Sequence, residues 1–113
     1  MLSVKEKGLL ISIIRHCDKI ELKISYLSRQ TFDENEDIRE ILCFNIFQIG
    51  ELAKKFDVDF LTKYSGVPWK QIKGMRDRIG HGYDVVDLDD VWKTVTKDIQ
   101  PLNKYCKKIL EEN

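Results

Sequence analysis

Residues 38–56, IREILCFNIFQIGELAKKF, decide the fold. Ile38, Ile41, Leu42, Asn45, Ile49, Leu52, Ala53 and Phe56 recur at three- and four-residue spacing, the signature of one helical stripe. Phe44, Ile46 and Phe47 widen it, which predicts a central helix buried on more than one side. Asn45, Gln48 and Glu51 interrupt the apolar positions, and buried polar groups need partners.

Upstream, Leu10, Ile13, Ile14, Cys17, Ile20, Ile24 and Leu27 give a long first helix of the same period. His16 lies on it and is expected to be structural. The stretch from Ser28 to Glu36 is polar, and Thr31 with Glu34 resembles a capping box for the central helix. Downstream, residues 57–64 predict a short helix, ended by SGVP. Pro68 then suits the first position of a fourth helix, where its missing N–H is harmless. Trp69, Ile72, Met75 and Ile79 are that helix's packing face, so Trp69 belongs to the core rather than to a base-stacking surface.

Gly80 and Gly82 predict that the fourth helix stops near His81. Asp87 is the expected N-cap of a last helix with Leu88, Val91, Trp92, Val95, Ile99, Leu102, Cys106 and Ile109 on its stripe. Pro101 interrupts this stripe and should bend it, because it removes a backbone hydrogen bond. No segment alternates as a strand does. The expectation is an all-α bundle of about five helices in a single domain over residues 1–113.

The composition narrows the function. Charged residues are 34% and hydrophobic residues 42% of the chain, and Lys+Arg balances Asp+Glu at 19 each. A protein that coats nucleic acid needs a basic excess, because phosphate contacts supply that affinity. An enzyme with a local basic patch does not. No apolar run approaches the ~20 residues that span a bilayer. The N-terminal apolar stretch is short, broken by charge and lacks a small-residue cleavage site, so a cytoplasmic location is expected. Cys17, Cys43 and Cys106 are odd in number and widely spaced, which fits reduced core thiols rather than disulfides or a metal site.

Chemistry concentrates in residues 76–83, RDRIGHGY. Arginine carries a permanent charge that grips phosphate, and histidine as a residue type moves protons near neutral pH. In a straight helix His81 would leave Arg76 at about 140°, so the two approach only if the helix ends or distorts around Gly80 and Gly82. The same cluster also fits a packing and capping group at a helix end. Phosphate-loop, GxSxG and HExxH signatures are absent, and no ligand-spaced partner for His81 suggests a metal.

The segment resembles the R-x4-H-x-Y motif of HEPN-domain ribonuclease toxins of the HepT type, with Arg76, His81 and Tyr83 at the motif positions. FQIGELAKKF and VPWKQIKGMRDRIGHGYDVVDLDDVWKTVTKDIQPL extend the likeness over the C-terminal two-thirds. The resemblance implies a homodimer with two motifs across one cleft and metal-independent, cofactor-free cleavage of RNA, tRNA being the substrate class of relatives. His81 would act as general base or acid and Arg76 would hold the phosphate.

Asp77 stands where relatives often have asparagine. An ionised carboxylate cannot donate to phosphate, so Asp77 would instead orient Arg76 or His81. Glu51 either supports Arg76 or pairs elsewhere, and Lys70, Lys73 and Arg78 either steer RNA or are simply solvated. The resemblance also implies a minimal nucleotidyltransferase antitoxin, as in a type VII-like toxin–antitoxin pair, that transfers AMP to Tyr83. Tyr83 also suits half-buried packing near a dimer interface, and both readings can hold together. A non-hydrolytic HEPN module that serves as the nucleotidyltransferase's partner or substrate is the competing reading.

Overall fold

Polar residues at the turns set where each helix begins. In the computed structural model, which describes residues 1–113, Ser3 and Glu6 form a reciprocal capping box at the start of α1 (Val4–Ile24). The polar stretch after it contains an unforeseen short helix, α2 (Arg29–Glu34), capped by Ser28 through the Thr31 amide. Thr31 and Glu34 therefore lie inside α2 and do not cap the central helix. Asn35 caps α3 (Glu36–Ala53), accepting from the Ile38 amide at 3.0 Å.

Asp57 caps α4 (Val58–Lys63). Pro68 is the N-cap of α5 (Trp69–His81), one residue before the expected first position. A 3-10 turn over Tyr83–Val85 leads to Asp87, which caps α6 (Leu88–Lys93). A π-turn over Thr94–Asp98 joins α6 to α7 (Ile99–Glu111) in one helical rod. The irregularity in this rod is the π-turn, which lies just before Pro101. Pro101 sits in the first turn of α7, where its missing N–H is tolerated. The Gln100 side-chain amide donates to the Val95 carbonyl inside the π-turn at 3.0 Å.

The protein is all-α. The core is one apolar cluster in which Leu10, Ile13, Cys17 and Ile20 of α1 meet Leu42, Ile46, Ile49 and Ala53 of α3. Val95, Ile99, Leu102, Cys106 and Ile109 close it from the last rod. Trp92 packs on Phe32 with ring centroids 5.1 Å apart, and Phe56 stacks on Phe60 at 4.0 Å. Trp69 is buried and donates to the Tyr64 carbonyl at 2.7 Å, a core role. Asn45 finds its partners in His16 Nδ1 at 2.8 Å and the Ile41 carbonyl at 2.8 Å, which makes His16 structural.

The central helix is not enclosed all round. Ile41 is 41% and Phe44 58% exposed, so one apolar side of α3 faces outward beside α5. Burial pushes all three thiols up, Cys43 to about 11 and Cys106 to about 12, with Cys17 shifted furthest. All three are free cysteines. No helix is long and apolar enough to cross a membrane.

Candidate active site

Arg76 is fixed by α3. Its Nε donates to Glu51 Oε1, and its Nη1 donates to Asp77 Oδ1 at 3.0 Å. The guanidinium also lies over the Phe47 ring, 4.7 Å from its centroid. Lys54 stands 3.9 Å from the same Glu51 oxygen. The hydrogen bond that Arg76 donates to Glu51 is the main reason the Arg76 pKa is raised further, so the guanidinium is a fixed positive charge.

Two glycines permit this arrangement by absence of a side chain. A Cβ on Gly50 would stand 2.7 Å from Arg76 Cγ and closer still to Arg76 Cβ, so α3 and α5 meet there backbone to side chain. A Cβ on Gly80 would stand 3.2 Å from the Phe47 ring and 3.4 Å from Arg76 Nη1. Gly50 was not singled out by the sequence, although it precedes Glu51 on the stripe that faces α5.

His81 takes a different direction. Helix α5 continues through Gly80 to His81 and is capped at Gly82, whose φ of 160° is extended backbone. The glycines therefore do not fold His81 back onto Arg76. Their side chains leave α5 about 140° apart and about 7.5 Å apart along its axis. His81 is exposed, and no hydrogen bond links it to Arg76.

Tyr83 lies beyond the end of α5 and turns towards α3. With Glu40, Cys43, Phe44, Phe47 and Ile79 it lines a shallow apolar groove, and Phe47 thus touches both Arg76 and the tyrosine's groove. The Tyr83 hydroxyl donates to the Glu36 carbonyl at 3.4 Å. Burial raises its pKa, while Arg39 beside it pulls the other way. Arg39 is itself held by the Phe32 and Asp33 carbonyls at 2.9 and 2.6 Å. Nothing in the spacing of the sequence marks Arg39, because its partners come from α2, the helix that the polar stretch concealed.

A deeper cleft of about 300 Å³ opens between α5 and the last rod, floored by Ile46, Ile49 and Met75. Arg76, His81 and Tyr83 do not line it. No three His, Cys, Asp or Glu side chains converge as metal ligands.

The all-α bundle thus presents a carboxylate-held arginine, an exposed helix-end histidine and a groove-lining tyrosine. Residues 13–109 match the family described as Ribonuclease HepT-like, and the chain belongs to that family. It is 32% identical over 100 residues to "Putative RNase TTE0752" of Caldanaerobacter subterraneus subsp. tengcongensis, covering 88% of this chain and 89% of that one. It is 31% identical over 106 residues to "Putative RNase MJ1216" of Methanocaldococcus jannaschii, covering 94% and 88%. Over 61 residues it is 38% identical to "Probable ribonuclease HepT" of Thermococcus cleftensis, covering 54% and 56%. No solved structure gives a significant match.

Proposed function

We propose that this chain is a metal-independent ribonuclease toxin that cleaves RNA, with tRNA as the expected substrate class. The observation that carries the reading is the Arg76 guanidinium, held in place by Glu51 and Phe47 on the same helix as an exposed His81. Such a guanidinium offers fixed N–H donors to a phosphate whose charge grows during cleavage. His81 is the only side chain of the motif suited to take the proton from a ribose 2′-hydroxyl or return one to the leaving oxygen.

Arg76 and His81 diverge along one α5, so a second copy supplies the geometry that one copy lacks. The outward apolar side of α3, with Phe44 at its centre, is the surface on which two copies would join. A homodimer across this face sets two motifs around one cleft. Tyr83 borders the same face, where a cognate nucleotidyltransferase could transfer AMP to its hydroxyl. The added phosphate and nucleotide would fill the groove and repel RNA. The pair would form a type VII-like toxin–antitoxin system in the cytoplasm.

The competing reading, a non-hydrolytic module that partners the nucleotidyltransferase, is favoured by the balanced charge and by the Asp77 carboxylate on Arg76. The test is cleavage of a tRNA pool in EDTA by unmodified protein, beside His81→Ala at equal concentration. Activity lost in the variant is the expected result. Silence from both supports the binding module, and equal cleavage by both reveals a contaminating nuclease.

A further inference from the structure

Three contacts already fix the Arg76 side chain: the Glu51 carboxylate on Nε, the Phe47 ring beneath the guanidinium, and the close packing at Gly50 and Gly80. Asp77 adds a fourth, from its Oδ1 to Nη1 at 3.0 Å. Its geometry is a poor strut. Adjacent residues on a helix point to different faces, so this carboxylate must reach round the helix, and it is 59% exposed. Its electrical effect is larger than its mechanical one. Glu51 is the main counter-charge of Arg76, and Asp77 adds a second, more exposed one at 3.0 Å from Nη1. Asp77 also occupies an N–H that a phosphate oxygen would otherwise receive.

We infer that Asp77 is an electrostatic brake on Arg76, competing with the RNA phosphate for the guanidinium and setting how tightly this chain engages its substrate. The inference rests on the ribonuclease reading of the motif. On binding, the phosphate displaces the Asp77 carboxylate into solvent, while Glu51 keeps its hold on Nε. Substrate affinity is thus lowered by a charge one residue from the anchor, without moving the anchor.

The test uses a 2′-O-methyl RNA oligonucleotide, which lacks the hydroxyl that cleavage needs. Its binding to intact, unmodified protein is read by fluorescence anisotropy over a salt series. Asp77→Asn should bind about threefold tighter at low salt, in the range of exposed ion-pair effects. The advantage should fade as salt screens it, with a log–log slope steeper by about 0.7. Asp77→Ala should tighten binding likewise, and Asp77→Glu should not. Binding by Asp77→Asn that is equal to or weaker than wild type overturns the brake and makes Asp77 a positioning residue. If Arg76→Ala binds as well as wild type, Arg76 holds no phosphate, and the ribonuclease reading falls together with the brake. Loss of binding in Arg76→Ala without a gain in Asp77→Asn removes the brake alone.

Discussion

Gly50 and Arg76 meet so closely that no side chain fits between them: a Cβ at position 50 would stand 2.7 Å from Arg76 Cγ. The obstruction is the root of the arginine side chain, which cannot swing aside as its tip could. Gly50→Ala must therefore push α5 away from α3. Overpacking of this kind costs about 1–3 kcal/mol. The expected outcome is a lower melting temperature together with lost RNA cleavage, because the displacement falls on the residue proposed to hold the phosphate. Cleavage at the wild-type rate by Gly50→Ala would show that the contact does not set the site.

Glu51 holds Arg76 without belonging to the reacting groups, so its removal should separate activity from stability. Glu51→Ala frees the guanidinium to rotate over Phe47 or to pair more fully with Asp77. Misplacing a binding group by about 1 Å can cost on the order of a hundredfold in rate. A fall of about ten- to hundredfold in kcat/KM is expected, with little change in the thermal melt. Glu51→Gln retains an acceptor for Nε–H and should fall between wild type and Glu51→Ala.

The helical layout was legible because its signals are local. Apolar spacing marked the long helices, and Asp87 caps its helix as its position suggested. The hidden helix α2 shows the limit: six residues with one buried apolar side chain, Phe32, give no periodicity to detect. Phe44 and Ile41 show another limit, since an apolar residue left on the outside of the bundle looks in sequence like one facing the core. The motif residues were visible as chemistry, but their directions were not. That Arg76 packs on Gly50 and Phe47 while His81 points elsewhere depends on the α3–α5 contact, which no local pattern encodes.

The exposed apolar side of α3 gives the proposed dimer a specific test. Phe44→Glu places a charge at the centre of the face without altering a core residue, as Phe44 is 58% exposed and lies outside the core cluster. Monomeric protein by light scattering is expected, with the helical circular dichroism unchanged and RNA cleavage lost although Arg76 and His81 are intact. A monomeric variant that still cleaves RNA would place the complete site within one chain.

The buried thiols fix the sign of the alkaline response. Cys43 and Cys106 ionise at about 11 and about 12 in the folded protein, against an ordinary value of 9.0. Above pH 9 the unfolded chain releases these protons and the folded one retains them, so stability falls as pH rises towards those values. Below pH 9 the thiols contribute no slope. Each thiol contributes a loss of about 1.4 kcal/mol per pH unit within that window. Urea unfolding at about pH 8, 9 and 10 in reductant should show this decline. Cys106→Ala should be less stable at pH 8 but lose stability less steeply. An identical slope in the variant would assign the decline to other groups.

A substitution at Tyr83 would separate the proposed silencing from the proposed catalysis. The Tyr83 hydroxyl makes one long hydrogen bond, 3.4 Å to the Glu36 carbonyl, and the ring supplies one wall of the groove shared with Phe47. Tyr83→Phe keeps the ring and loses only the hydroxyl, so the groove and Arg76 stay in place. Cleavage near the wild-type rate is expected. Nucleotidyl transfer joins the tyrosine oxygen to the α-phosphorus of ATP, releases pyrophosphate and passes the hydroxyl proton to solvent. Without that oxygen the reaction has no acceptor. After incubation with ATP and the cognate nucleotidyltransferase, wild-type protein should gain one AMP by intact mass and stop cleaving tRNA. Tyr83→Phe should keep both its mass and its activity. A variant silenced as fully as wild type would move the acceptor to another residue, and a wild type that gains AMP yet still cleaves would show that the groove can be filled without blocking RNA.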